Sequence, residues 1–192
     1  MNEEYFISQL KSGDGIAYKK LLDQFSKIVF NTCIGILQNT EDAEDISQEV
    51  FTEVFQSIHQ FKGNSKLSTW IYRITVSKSL EFIRKKNRKK RIAFIQSLFG
   101  DDGVEPINEV PNFFHPGVQL ENKERAAILF AAIDKLPENQ KAAFVLHKTE
   151  DLSYAEIAEV ISVSVSSVES LMFRAKQNLQ KLLGDYYEKN EK

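Results

Sequence analysis

At 192 residues and 42% hydrophobic, with a formal net charge of −2, the chain is long enough to bury a core as one domain or two small ones. A single cysteine, Cys33, excludes an internal disulfide framework, and the amino terminus MNEEYF lacks the basic-then-apolar pattern of a secretory leader, so a cytoplasmic protein is expected. No apolar run approaches the roughly 20 residues of a membrane-spanning helix, and four prolines with strong 3.6-residue periodicity predict an all-α chain without membrane insertion.

Residues 3–11 predict a first helix, stopped by Ser12, Gly13, Asp14 and Gly15. A second is expected over about 16–37, with Leu21, Leu22, Phe25, Ile28, Val29, Thr32, Cys33 and Ile36 on one apolar face, which makes Cys33 a core residue. Asn39 or Thr40 caps a third helix reaching about residue 58. One half of its wheel holds Ala43, Ile46, Val50, Phe51, Val54, Phe55 and Ile58; the other holds Asp42, Asp45, Gln48, Glu49, Thr52, Glu53 and Gln56. Taken alone, that polar half suits a solvated face with acids near the positive helix start. A metal site is not expected, because there is no calcium-loop glycine and no neighbouring His or Cys.

After a loop at 60–66, a fourth helix is predicted to about residue 91. Trp70, Ile71, Ile74, Leu80, Phe82 and Ile83 can pack inward, while Tyr72, Arg73, Lys78, Arg84, Lys85, Arg88 and Lys89 form a basic side with an interleaved aromatic. Seven of the eight residues at 84–91 are Lys or Arg, whereas six acids fall within 41–53. Such a basic side suits a nucleic-acid backbone and exposed bases, or else a solvated helix end. Residues 99–118 contain three prolines, three glycines, four acids and no Lys or Arg, and read as a flexible acidic linker. Helical pattern resumes over 120–136, Pro137 suits a first helical position, and a helix over 138–149 follows.

Ser153 and Glu156 have capping-box spacing and start a short helix that ends near Ser162. Ser164 caps a longer helix, with Val168, Met172, Ala175, Leu179 and Leu183 on its buried face and Leu171 and Leu182 at the margin. Ser166, Ser170, Phe173, Arg174, Gln177 and Lys181 project from the other face, a set able to meet phosphates, base edges and thymine methyls in a major groove. The pattern suits an antiparallel helix pair as well as a helix-turn-helix, and the residues alone leave both open. His59, His115 and His147 have no catalytic or ligand spacing, and no nucleophile motif, phosphate loop or zinc pattern is present; neither an enzyme nor a cofactor is expected.

Considered together, the two halves resemble a bacterial RNA polymerase sigma factor of the extracytoplasmic-function (ECF) subfamily. The resemblance rests on DAEDISQEVFTEVF from Asp42, FKG at Phe61, TWIYRI at Thr69, LPENQKAAFVLHKTEDLSYAEIAEVISVS from Leu136, and SVESLMFRAKQNLQKLL after it. It implies a region 2 helical domain at 1–94, a linker at 95–119 and a region 4 helix-turn-helix domain at 120–192. By position, Asp42, Asp45, Gln48, Glu49 and Thr52 would dock the β′ clamp coiled coil of core RNA polymerase. Lys62, Asn64, Lys66, Trp70, Tyr72, Arg73, Lys78, Arg84, Lys85 and Arg88 would face the melted minus-ten promoter DNA. Val165, Ser166, Ser167, Glu169, Ser170, Phe173, Arg174, Lys176 and Gln177 would meet the minus-thirty-five element. The linker would run along the polymerase towards its RNA exit path; the β′ clamp and β subunits of core RNA polymerase are the implied partners of the chain, and an anti-sigma factor is the implied regulator. The chain departs from the family pattern at Ser77, Ser162, Glu169 and Leu171. The competing expectation is an ordinary helix-turn-helix regulator with a helical sensing or dimerisation domain.

Overall fold

The computed structural model describes residues 3–99 and 123–190, with side-chain surroundings described for 3–93 and 127–184; the predicted linker at 99–118 lies almost wholly outside them. The described residues are all-α: α1 (Glu3–Lys11), α2 (Gly15–Leu37), α3 (Thr40–Ser57), a single 3-10 turn (Ile58–Gln60), α4 (Leu67–Phe99), α5 (Lys123–Asp134), α6 (Glu138–Thr149), α7 (Tyr154–Ile161) and α8 (Val165–Asn190).

Local chemistry sets most of these boundaries. Gly13 takes φ +77 after α1, and the Asp14 carboxylate then accepts from the Ile16 amide to open α2. Asn39 caps α3 by accepting from the Asp42 amide at 2.9 Å. Pro137 stands at the cap of α6 rather than inside it: its carbonyl accepts from the Lys141 amide at 2.9 Å, so the missing proline N–H costs nothing there. The fourth helix runs to Phe99, beyond the expected end near Arg91, because no glycine or proline interrupts residues 91–99.

Two apolar clusters organise the molecule. In the first, α1–α4 close on Leu10, Leu21, Val29, Ile34, Val50, Val54, Ile58 and Ile71, with Cys33 fully buried among them. The second joins α5–α8 through Leu146, Ile157, Val168, Met172 and Leu179, and it also takes in Ile36 of α2 and Tyr72, Val76 and Leu80 of α4. The carboxy-terminal helices therefore pack directly on α2 and α4. Two expected core residues lie exposed. Phe55 is 56% exposed and Leu22 44% exposed, because they sit at the outer margins of α3 and α2 where no third helix covers them. Leu183 is half-buried, packed at the edge of the second cluster.

Candidate nucleic-acid interface and acidic docking face

The polar face of α3 is mostly open. Asp45, Gln48, Glu49 and Thr52 are exposed, and the Thr52 hydroxyl turns back on the Gln48 carbonyl at 2.9 Å. Neither Asp45 nor Glu49 has a hydrogen bond or ion pair with any described residue. Asp42 was expected among these free acids but is half-buried, held 2.9 Å from the Lys86 ammonium of α4.

The basic side of α4 divides into three parts. Lys78 does not belong with the others; it pairs with Glu53 at 3.2 Å and lines the same shallow groove as Asp45, Gln48 and Glu49. The helical repeat explains this, since five residues separate Lys78 from Arg73 and turn it about 140° around the axis. Tyr72, expected on the open side, is 6% exposed beneath the carboxy-terminal helices and donates its hydroxyl to Glu150 at 3.0 Å. The remaining stripe, Lys66, Arg73, Arg84 and Arg88, is solvent-exposed along one edge. Lys85 pairs with Glu81 one turn earlier at 3.0 Å.

Lys62 and Asn64 are exposed on the preceding loop, and Trp70 is half-buried with its ring 5.2 Å from that of Phe61. Helix α1 fixes this corner: Lys11 donates to the Phe61 carbonyl at 2.7 Å, and Glu3 accepts from the Leu67 amide at 2.9 Å. Neither anchor was read from the sequence, because contacts spanning 50 and 64 residues leave no local pattern.

The helix-turn-helix is built as its local chemistry requires. Ser153 and Glu156 complete the capping box, Ser162 ends α7 at φ 56, and the Ser164 hydroxyl accepts from the Ser167 amide at 3.2 Å to open α8. Val168, Met172, Ala175 and Leu179 are buried, and Val165, Ser166, Ser167, Glu169, Ser170, Phe173, Arg174, Lys176 and Gln177 are all exposed. Phe173, 63% exposed, is a large apolar side chain on an otherwise polar face. The Ser170 hydroxyl donates to the Ser166 carbonyl at 3.0 Å, so its lone pairs point outward. Arg174, Lys176 and Gln177 have no hydrogen bond or ion pair with a described residue, so their donors are available to a groove.

Comparison with known proteins decides the family. The Sigma-70 region 2 model matches residues 21–89, and the Sigma-70, region 4 model matches residues 126–179. The ECF RNA polymerase sigma factor SigW of Bacillus subtilis (strain 168) is 30% identical over 185 residues, covering 93% of this chain and 95% of its own. The chain belongs to the ECF sigma factors. The ECF RNA polymerase sigma-E factor of Haemophilus influenzae is 26% identical over 94% of each chain. Among solved structures, the fold is similar to that of CnrH in complex with the cytosolic domain of CnrY (TM-score 0.67, 18% identity, 95% of this chain and 97% of the other). It is also similar to RpoE of Bartonella quintana in complex with the anti-sigma factor NepR (TM-score 0.64, 19% identity, 87% and 96%). As a sigma factor, the chain is a transcription initiation factor and not an enzyme, and the ordinary-regulator alternative is not favoured.

The close approach at Gly35 and the buried Tyr72–Glu150 pair of this sigma factor were not legible in its sequence. Gly35, in the interior of α2, meets α6 so closely that a Cβ there would lie 2.6 Å from Val145 Cγ1. Glu150, between α6 and α7, has its carboxyl pushed up to about 7, chiefly by burial, with Asp151 adding and Tyr72, Thr149 and Lys27 opposing. Burial and the neighbouring Glu150 likewise raise the Tyr72 phenol well above its ordinary value, and burial lifts the Cys33 thiol to about 11, which keeps it unreactive. Among the described residues no cluster of three or more His, Cys, Asp or Glu could hold a metal, and no helix is long and apolar enough to cross a membrane.

Proposed function

We propose that this sigma factor docks core RNA polymerase through the acid-and-amide face of α3 and reads promoters at two places. Asp45, Gln48, Glu49 and Thr52 meet the β′ clamp coiled coil, with Asp42 and its Lys86 partner closing the amino-terminal end of that surface. The observation that carries the reading is the exposure of Asp45 and Glu49 without an internal partner, since unpaired acids on an ordered helix are available for charge pairing across an interface. Lys62, Asn64, Lys66, Trp70, Arg73, Arg84 and Arg88 face the minus-ten strand, and the outer face of α8 enters the major groove at the minus-thirty-five element. Lys85, paired with Glu81, stays on the exposed part of α4; Tyr72 and Lys78 are removed from the minus-ten surface, the one by burial and the other by its pairing with Glu53.

The domains corresponding to these roles are 1–94 and 120–192, joined by the acidic segment 95–119 running along the polymerase towards its RNA exit path. Cytoplasmic location follows, because promoter DNA and polymerase meet there. An anti-sigma factor is proposed as a further partner; the relatives CnrH and RpoE have structures in complex with the CnrY cytosolic domain and the anti-sigma factor NepR, respectively. Transcription in vitro with purified core polymerase and a fragment library from the source genome is the test: start sites that appear only when the protein is added are expected. Unaltered initiation, with the protein folded and present in excess, would sink the proposal.

A further inference from the structure

We propose that α1 is a bracket for the loop that precedes α4: Lys11 and Glu3 hold its two ends, and so act as positioning residues for minus-ten recognition by Lys62 and Asn64. This rests on the minus-ten reading above and adds to it what sets the shape of the reading loop.

The loop supplies little order of its own. Lys62, Gly63 and Asn64 are exposed, and residues 62–65 make no hydrogen bond with any described residue. Gly63, at φ +75, turns the chain between the two candidate DNA contacts. Phe61 and Leu67 bury their side chains at either end, with the Phe61 ring 5.2 Å from that of Trp70, which fixes where the loop begins and stops. Apolar burial is non-directional, so it leaves the adjoining peptides free to rotate. A loop that offers side chains to single bases needs those peptides held as well.

Both peptides are held from α1. The Lys11 ammonium donates to the Phe61 carbonyl at 2.7 Å, and the Leu67 amide donates to the Glu3 carboxylate at 2.9 Å. The Leu67 amide is the first of α4 and has no partner within the helix, so Glu3 caps it and sets a negative charge at the positive end of α4. An ammonium can only donate and a carboxylate accepts, so the two anchors cannot exchange their targets. They leave α1 eight residues apart, about 12 Å along the axis and within about a quarter turn of each other, so one helix fixes both ends of the loop. Phe6 and Leu10 seat that helix in the first apolar cluster. Helix α1 carries none of the residues proposed to meet polymerase or DNA, and this bracket gives it a part in promoter reading.

The test uses the full-length chain in complex with core polymerase, on one promoter from the transcription library and its single-base substitutions in the minus-ten and minus-thirty-five elements. The readout is discrimination, the ratio of open-complex formation on the parent promoter to that on each substituted one. Lys11→Met keeps the aliphatic stem and removes the donor. Glu3→Ala removes the acceptor at an exposed position, and serves if Lys11→Met proves unfolded by circular dichroism. Each should lower minus-ten discrimination by about tenfold, the order that one well-made base contact supplies. Minus-thirty-five discrimination and affinity for core polymerase should stay unchanged. Lys11→Arg and Glu3→Gln, which retain the donor and the acceptor, should restore the wild-type ratio. An equal loss on parent and substituted minus-ten promoters, an unchanged ratio in the folded variants, or no rescue by arginine and glutamine would each overturn the proposal. Replacing Lys62 and Asn64 with alanine separates the two readings. If that pair alters minus-ten discrimination while Lys11→Met and Glu3→Ala do not, only the bracket is rejected; if none of them alters it, the assignment of this loop to the minus-ten strand falls as well.

Discussion

Reversing Asp45 and Glu49 to lysine separates a docking surface from an ordinary solvated helix face. Both side chains are exposed, and neither is held by a described residue, so the substitutions break no contact. They lie one turn apart, and like-charge neighbours at that spacing are unfavourable by a few tenths of a kcal/mol, about 0.2–0.5, whichever sign they carry. Asp45 lies beyond the first turn of α3, where the helix dipole has faded, and lysine is the better helix former of the pair. The net change in folding stability should stay within about ±0.5 kcal/mol. Across an interface the same change removes charge pairs and adds repulsion, and losing such pairs costs about 2–5 kcal/mol. At about 1.4 kcal/mol per decade, affinity for core polymerase should fall by about 30- to 4,000-fold. Equilibrium titration of the labelled double variant with core polymerase, beside thermal melts, measures both quantities. A variant that melts with wild type and binds core polymerase equally well refutes the docking role.

Ser162→Gly should stabilise the protein, because serine at φ 56 costs about 1–2 kcal/mol while the added unfolded-state freedom of glycine returns about 0.4–1; a melting temperature that does not rise refutes the strain argument. On α8, Arg174→Ala should weaken use of minus-thirty-five promoters by about 1–3 kcal/mol, and Lys176→Ala should lower affinity uniformly. Unchanged promoter ranking after replacing Ser166, Ser170, Phe173 and Arg174 together would show that this face does not read sequence. The closed arrangement, in which α6–α8 pack on α2 and α4 along one apolar seam, should also respond to pH through Glu150, which faces Tyr72 of α4, Lys27 of α2 and Asp151 beside it, with Glu156 close to Tyr72. Its carboxyl is raised from 4.5 to about 7 when covered, so closure is fully favoured below 4.5 and loses that support as pH rises through 7. The loss is about 1–2 kcal/mol after allowance for solvent screening of a partly exposed group. Distances between spin labels at the exposed Glu44 of α3 and Gln180 of α8 should therefore lengthen between mildly acidic and mildly alkaline pH, and Glu150→Gln should flatten that response; an identical profile in the variant removes Glu150 from the seam.

Where a boundary is set by neighbouring residues, it was readable. Asp14, Asn39 and the Ser153–Glu156 capping box act on amides two or three positions away, and Gly13 supplies the positive φ that ends α1, so spacing alone locates α2, α3 and α7. The exposed face of α8 was readable for a similar reason, since its buried stripe repeats with the helical period. Helix α4 shows the limit. A wheel identifies which residues share a face, but Tyr72 is covered by α6–α8 and Lys78 is drawn to Glu53 of α3, and neither neighbour is encoded near those positions. Phe55 and Leu22 fail in the opposite direction: their helical phase points inward enough to suggest burial, but no element arrives to cover them. Gly35 carried a local hint, a glycine inside a strong helical pattern, without indicating that the close neighbour would be Val145 from the other half of the chain.

The three surfaces differ in when they become usable, and that difference follows from what covers each. Asp45 and Glu49 are open in the closed chain, as are Phe173, Arg174 and Gln177, so polymerase docking and duplex reading require no separation of the two halves. On the minus-ten side Lys66, Arg73 and Arg84, though solvent-exposed, each have an acceptor from α6 or α7. On the proposed reading, their ligand is also the only one that does not exist until the duplex has been melted. A site whose cations are satisfied internally gives up little by waiting, because Lys66, Arg73 and Arg84 exchange one set of oxygen acceptors for another when phosphates arrive. The cost of opening then falls on the apolar seam, which Gly35 tunes by setting how closely α2 and α6 approach. Binding energy from polymerase at α3 and from duplex DNA at α8 can meet that cost only if it is larger in the open form. Because the docking face is open in either arrangement, polymerase should bind the Gly35→Ala chain and wild type equally, whereas tighter binding by the variant would mean that docking favours separated halves.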